Sequence, residues 1–172
     1  MLIAFGGLPG TGKTTLARAL AKRYAAVYLR IDTIEQAIRC SGELKADMGS
    51  AGYMVAYQLA EDNLRMGRDV VADSVNALQI TRDAWALAAR NASVPLIEVE
   101  AICSDLAEHR GRIEGRQSDI NGLRLSDWKA VSERVFEAWS TPHIVIDTAR
   151  KPISDAEREL MDHLTSAGYL AM

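Results

Sequence analysis

Gly7-Leu8-Pro9-Gly10-Thr11-Gly12-Lys13-Thr14 matches the pattern G-x-x-x-x-G-K-[ST] at every fixed position, and its neighbours decide how it is read. Upstream, Leu2, Ile3, Ala4 and Phe5 form a short apolar run ending in Gly6-Gly7, as expected of a strand buried on both faces. Downstream, Leu16, Ala19, Leu20 and Tyr24 recur at helical spacing, and Lys22 and Arg23 sit where a helix dipole favours cations. Strand, glycine turn and helix in this order form a cradle for phosphate. Backbone N–H groups turn inward around the anion, side chains at positions 10 and 12 would obstruct that approach, and the helix adds its free N–H groups. Lys13 is then expected to reach the β and γ phosphates of a nucleoside triphosphate, the Thr14 hydroxyl to ligate Mg²⁺, and Thr15 to bond the α phosphate.

The alternation of apolar runs and helical patterns continues to the far end of the chain. Further strands are expected at 26–29, 69–72, 96–103 and 143–147, and helices over 32–40, 50–66, 81–92, 104–114, 126–139 and 154–166. Gly67 stops one helix, Thr81 is a candidate N-cap for the next, and Pro95 stands at a strand entry where it breaks no ladder. The stretch 111–125, rich in glycine and arginine, is expected to be mobile. Five strands separated by helices imply parallel pairing, helices on both faces and one three-layer α/β domain over 1–172.

With 172 residues and 48% hydrophobic composition, the chain can build a core without disulfide or metal staples. A net charge of -3 gives no general attraction to duplex nucleic acid or a membrane surface, so any anion site must be local. Cys40 and Cys103 lack metal-ligand spacing and read as reduced thiols; with no signal-peptide leader and no apolar run of about 20 residues, a cytoplasmic location is expected.

A second carboxylate should end a strand beside the phosphate loop and hold the metal through water. Val70-Val71-Ala72-Asp73 fits, and the alternative for Asp73 is a strand-end turn cap. Ser74 stands where motor ATPases of the AAA type usually carry a glutamate, which disfavours a motor. No asparagine is followed by lysine, so the guanine signature N-K-x-D is missing. Asp119-Ile120-Asn121-Gly122 satisfies D-x-x-G but follows a polar stretch instead of a strand, and reads as coincidence.

The segments Gly7 to Thr15, Arg30-Ile31-Asp32, Val71-Ala72-Asp73-Ser74 and the arginine-rich His109 to Arg116 together resemble the small P-loop kinases grouped with zeta-toxin-like, chloramphenicol phosphotransferase-like and polynucleotide 5′-hydroxyl kinases. The resemblance spans nearly the whole chain. It implies strand order 2-3-1-4-5, a substrate pocket between the second and third strands, and an arginine-bearing lid at approximately 110–125. Asp32 falls where such kinases place an aspartate that accepts the proton of the attacking hydroxyl; its alternative is the N-cap of the following helix. Arg112 and Arg116, four apart, resemble the lid arginines that neutralise the transferring phosphoryl group; their alternative is a solvated basic face pairing with Glu108 and Glu114. Arg150, in the turn after the fifth strand, resembles the segment that covers adenine.

These expectations describe an ATP-dependent kinase using Mg²⁺ and acting on a small-molecule or nucleotide acceptor. A nucleotide-responsive switch protein and a nucleic-acid 5′-hydroxyl kinase are the alternatives. Against the last, polynucleotide kinases usually carry arginine at the position of Glu35, although Arg30 and Arg39 lie nearby. Tyr53 and Tyr57 share a helix face and read as core in preference to lining an acceptor pocket with Ser74 and Asn76. His109 and His143 read as structural histidines.

Overall fold

A computed structural model of the chain describes residues 1–44 and 46–169. The elements run β1 (Leu2–Gly6), α1 (Lys13–Arg23), β2 (Val27–Arg30), α2 (Ile31–Cys40), α3 (Ala51–Arg65), β3 (Val70–Asp73), α4 (Gln79–Asn91), β4 (Leu96–Ile102), α5 (Leu106–Gly115), α6 (Trp128–Ser132), β5 (Ile144–Asp147) and α7 (Ile153–Ser166). The sheet order is β2-β3-β1-β4-β5 with every pairing parallel, so the strand that feeds the glycine loop lies at the centre.

Alternation along β1 sorts the core into two halves, because successive side chains of a strand point to opposite faces. Ile3 and Phe5 pack with Leu16, Leu20, Leu160 and Leu164 of α1 and α7. Leu2 and Ala4 pack on the other face with Ala56 and Tyr57 of α3 and Trp85 of α4. All five residues of β1 are buried, as a strand covered on both faces requires. No helix among the described residues is long and apolar enough to cross a membrane.

Three expected boundaries move, each for a tertiary reason. α2 begins at Ile31, directly from β2, with Arg30 in the N-cap position and Asp32 inside the first turn, so Asp32 is not the cap. α4 begins at Gln79, and the Thr81 hydroxyl donates back to the Leu78 carbonyl at 2.7 Å instead of capping the helix. The helix expected over 126–139 stops at Ser132, because the chain beyond it is captured by α4. Arg82, 1% exposed, donates to the carbonyls of Glu137 and Ala138, each at 3.1 Å, and stacks its guanidinium 4.6 Å from the Trp139 ring. The Glu137 N–H donates to the Ala77 carbonyl at 2.8 Å. These contacts outweigh a modest helix propensity.

Candidate active site

The loop Gly7 to Gly12 leaves the central strand and turns into α1. Gly7 has φ 129°, and a Cβ there would lie 2.2 Å from the Ala101 carbonyl oxygen of β4, so only glycine fits. Gly10 is covered from above, since a Cβ would lie 2.7 Å from Cδ1 of Ile113 in α5. The buried His109 of α5 donates from Nε2 to the Pro9 carbonyl at 2.8 Å, and its ring meets Trp128 edge-on. His109 is thus structural, but its structural task is to seat α5 on the loop.

Thr148, after β5, completes the loop from the other side. Its hydroxyl donates to the Thr11 carbonyl at 2.9 Å, and it receives Arg112 Nη1 at 2.7 Å. Arg112 also donates to the Thr148 carbonyl at 2.8 Å and to Glu108 at 2.6 Å, so the pairing with Glu108 exists within an arrangement that also anchors α5 at the loop. Arg110 pairs with Glu114 on the exposed face of the same helix. Arg116 stands just past α5 in extended backbone and does not continue the helix; it donates to the Ser126 carbonyl at 3.1 Å and leaves a buried Nε without a partner.

A cavity of about 880 Å³ opens above the loop, and Lys13, Thr14, Thr15, Asp32, Arg112 and Arg116 all line it. Lys13 is 7% exposed. Burial pushes its ammonium pKa down, while Asp73 and then Asp32 pull it up and Arg116 and Arg30 press it down. Asp32 has 47% of its side chain exposed, and its nearest cation is Arg30 Nη2 at 3.8 Å. Asp73, 2% exposed, lies behind the cavity wall at the end of β3 and pairs in register with Phe5. Its Oδ2 accepts from the Tyr28 hydroxyl at 2.7 Å, which leaves Oδ1 without a protein hydrogen bond among the described residues.

Mg²⁺ fits this donor set only with help. Thr14 offers one hydroxyl and Asp73 one free carboxylate oxygen, and no cluster of three His, Cys, Asp or Glu side chains among the described residues could hold a metal alone. Mg²⁺ takes six oxygens and keeps several waters, so nucleotide phosphates would supply the balance.

The cavity corrects the acceptor-side expectations. Tyr53 lines it, whereas Tyr57 is buried edge-on against Trp85. Ser74 and Asn76 are buried and turn their side chains to the Phe5 carbonyl. Glu35 and Arg39 both line the cavity and pair with each other at 3.1 Å. Arg150 is placed elsewhere, with its side chain 81% exposed and bound to Asp105 at 2.8 Å. His143 pairs with Glu100 and stacks on Trp139, far along the sheet edge. Asp119 is the unexpected member: it accepts from Arg18 of α1 at 2.6 Å and from Arg30 of β2 at 2.8 and 3.0 Å, fastening the segment after α5 across the cavity rim.

Five parallel strands in this order, a G-K-T loop at the tip of the central one and arginines on the covering segment define a P-loop kinase-like protein. Residues 2–140 match the family model AAA_33, described as an AAA domain, and the chain belongs to that family. The fold is also that of the Mycobacterium tuberculosis APS kinase CysC in complex with AMPPNP and APS, at TM-score 0.69 and 17% identity over 95% of this chain and 96% of that one. A gluconokinase from Sinorhizobium meliloti 1021 superposes at TM-score 0.66 and 15% identity, covering 96% of this chain and 91% of its own. Chaetomium thermophilum Kti12 in complex with ADP-AlF3 does so at TM-score 0.64 and 22% identity, over 97% and 98%. No curated protein matches the chain.

Proposed function

We propose that the chain, as a single domain over 1–172, is an ATP-dependent kinase of a small-molecule or nucleotide acceptor, working in the cytoplasm. The observation that carries this reading is the meeting of Lys13, Asp32 and Arg116 on one cavity, close enough for Asp32 and Arg116 to act on the Lys13 ammonium. The glutamate that motor ATPases of the AAA type usually carry after this aspartate is replaced by Ser74, whose hydroxyl is turned to a strand carbonyl.

In this reading the loop Gly7 to Thr15 cradles the triphosphate, with Lys13 on the β and γ phosphates, and Thr14 and Asp73 would hold Mg²⁺. The metal would supply charge neutralisation to the triphosphate. The acceptor hydroxyl attacks the γ phosphorus in line, the bond from that phosphorus to the β–γ bridging oxygen breaks, and ADP leaves. Asp32 takes the hydroxyl proton, and its side chain accepts no hydrogen bond among the described residues, its ion pair with Arg30 standing at 3.8 Å. Arg112 and Arg116 stabilise the charge on the moving phosphoryl group. Arg150 covers adenine after releasing Asp105, a movement its exposure permits.

The test is ADP release from MgATP by wild type and Lys13→Ala, against nucleosides, nucleotides, sugars, aminoglycosides and 5′-hydroxyl oligonucleotides. One acceptor class should raise turnover far above background and Lys13→Ala should abolish it. ATP binding with no stimulation by any acceptor would instead favour a nucleotide-responsive switch.

A further inference from the structure

The chain carries a net charge of -3, yet the cavity is lined by Lys13 and six arginines against only Asp32, Glu35 and Asp119. The excess is not evenly committed. Arg30 is held by Asp119, Arg39 by Glu35, and Arg112 by Glu108 and Thr148. Lys13, Arg112 and Arg116 are accounted for by the triphosphate in the reading above. Arg124 and Arg134 are accounted for by nothing: neither guanidinium has a hydrogen bond or ion pair among the described residues, although both line the cavity.

Both come from the segments that follow α5 and α6. Gln36 of α2 donates from Nε2 to the Asn121 carbonyl at 3.3 Å, which ties the chain just before Arg124 to the helix that carries Asp32. Arg134 sits in the chain that crosses from α6 toward Ala77, in the connection between β3 and α4, and that chain is fixed by the Glu137 to Ala77 hydrogen bond. One cavity thus holds the carboxylate Asp32 and two guanidinium forks whose donors no described residue takes up. Guanidinium recognises phosphate and carboxylate through paired N–H groups.

We propose that the acceptor is itself an anion: a small hydroxyl compound bearing a phosphate or a comparable oxyanion, held at that group by Arg124 and Arg134 while its hydroxyl faces Asp32. This rests on the kinase reading for the role of Asp32, but the anion site can be read without any transfer. The test saturates the protein with MgAMPPNP, so that the loop is filled, and measures calorimetric binding of inorganic phosphate and of three pairs: ribose 5-phosphate and ribose, glucose 6-phosphate and glucose, adenosine 5′-monophosphate and adenosine. At least one phosphorylated member should bind at least tenfold more tightly than its neutral partner. Arg124→Ala/Arg134→Ala, which alters two exposed side chains, should lose at least tenfold of that affinity while binding AMPPNP within about twofold of wild type. Equal binding of neutral and anionic partners, no binding of any anion, or an unchanged affinity in the double variant would each overturn the proposal. Anion binding that depends on both arginines, without phosphoryl transfer to any bound compound, would uphold the anion site and sink the kinase reading instead.

Discussion

The Tyr28 hydroxyl donates to Oδ2 of Asp73 at 2.7 Å across two adjacent strands. Tyr28 is in register with Val71, so Asp73, two residues on, points to the same face. The bond fixes one carboxylate oxygen and, in the function proposed above, leaves the other for a metal-bound water. Partners of this kind typically contribute 10–100-fold to metal affinity, so Tyr28→Phe should raise the Mg²⁺ concentration for half-maximal ATP binding about tenfold. An unchanged Mg²⁺ dependence would show that the Tyr28 bond does not tune the metal site.

Asp119 should behave as an acid-labile fastening. Its hydrogen bond from Arg18, and next that from Arg30, lower its pKa from 3.8 to about 2. A depressed carboxylate stabilises the folded state fully above its unfolded pKa and loses that contribution as pH falls through the folded value. The urea midpoint difference between wild type and Asp119→Asn should therefore hold from neutral pH to about pH 4 and shrink toward about pH 2. Arg18 and Asp119 are each about half exposed, so added salt should narrow the difference at neutral pH as well.

Arg82 should matter to stability more than to chemistry. Its buried guanidinium bonds the carbonyls of Asn76, Glu137 and Ala138 and pins the segment between α6 and β5. Arg82→Leu strands those carbonyls and should cost about 3 kcal/mol in urea unfolding. It should also speed tryptic cleavage after the exposed Arg134.

Two glycines separate backbone need from tolerance. Gly7→Ala sets a methyl group 2.2 Å from the Ala101 oxygen at φ 129° and should destabilise by about 3 kcal/mol. Gly111, inside α5 with nothing within 4 Å of a Cβ, should gain about 0.5–1 kcal/mol on substitution by alanine. Chemical denaturation of both variants checks the pair.

What was legible in the sequence follows the range of the interactions involved. The loop at 7–14, the buried first strand and the helix after it are local patterns, and each appears within a residue of its expected bounds. The strand order agrees with what the family resemblance implied. The early end of α6 was hidden because its cause, Arg82, lies about 50 residues upstream and acts through backbone carbonyls. Asp119 reads as part of a chance D-x-x-G, and nothing in its vicinity announces partners at positions 18 and 30. Thr148 gave no sign at all, since a threonine bonding the loop from 137 residues away has no pattern. That Arg124 and Arg134 have no partner among the described residues likewise emerges only when the partners of the other arginines lining the cavity are known.

The contacts of Gly7 with Ala101 and of Thr11 with Thr148 bear on how the protein is made. The motif leaves the ribosome well before the two elements that shape it, so a nascent chain carries a complete nucleotide signature without a competent nucleotide loop. Domains gather their early-made parts first, and contacts of long sequence separation close late. Nucleotide capture should thus begin only after residue 148 has emerged, and a chain stalled inside β5 would expose its central strand and bind nothing.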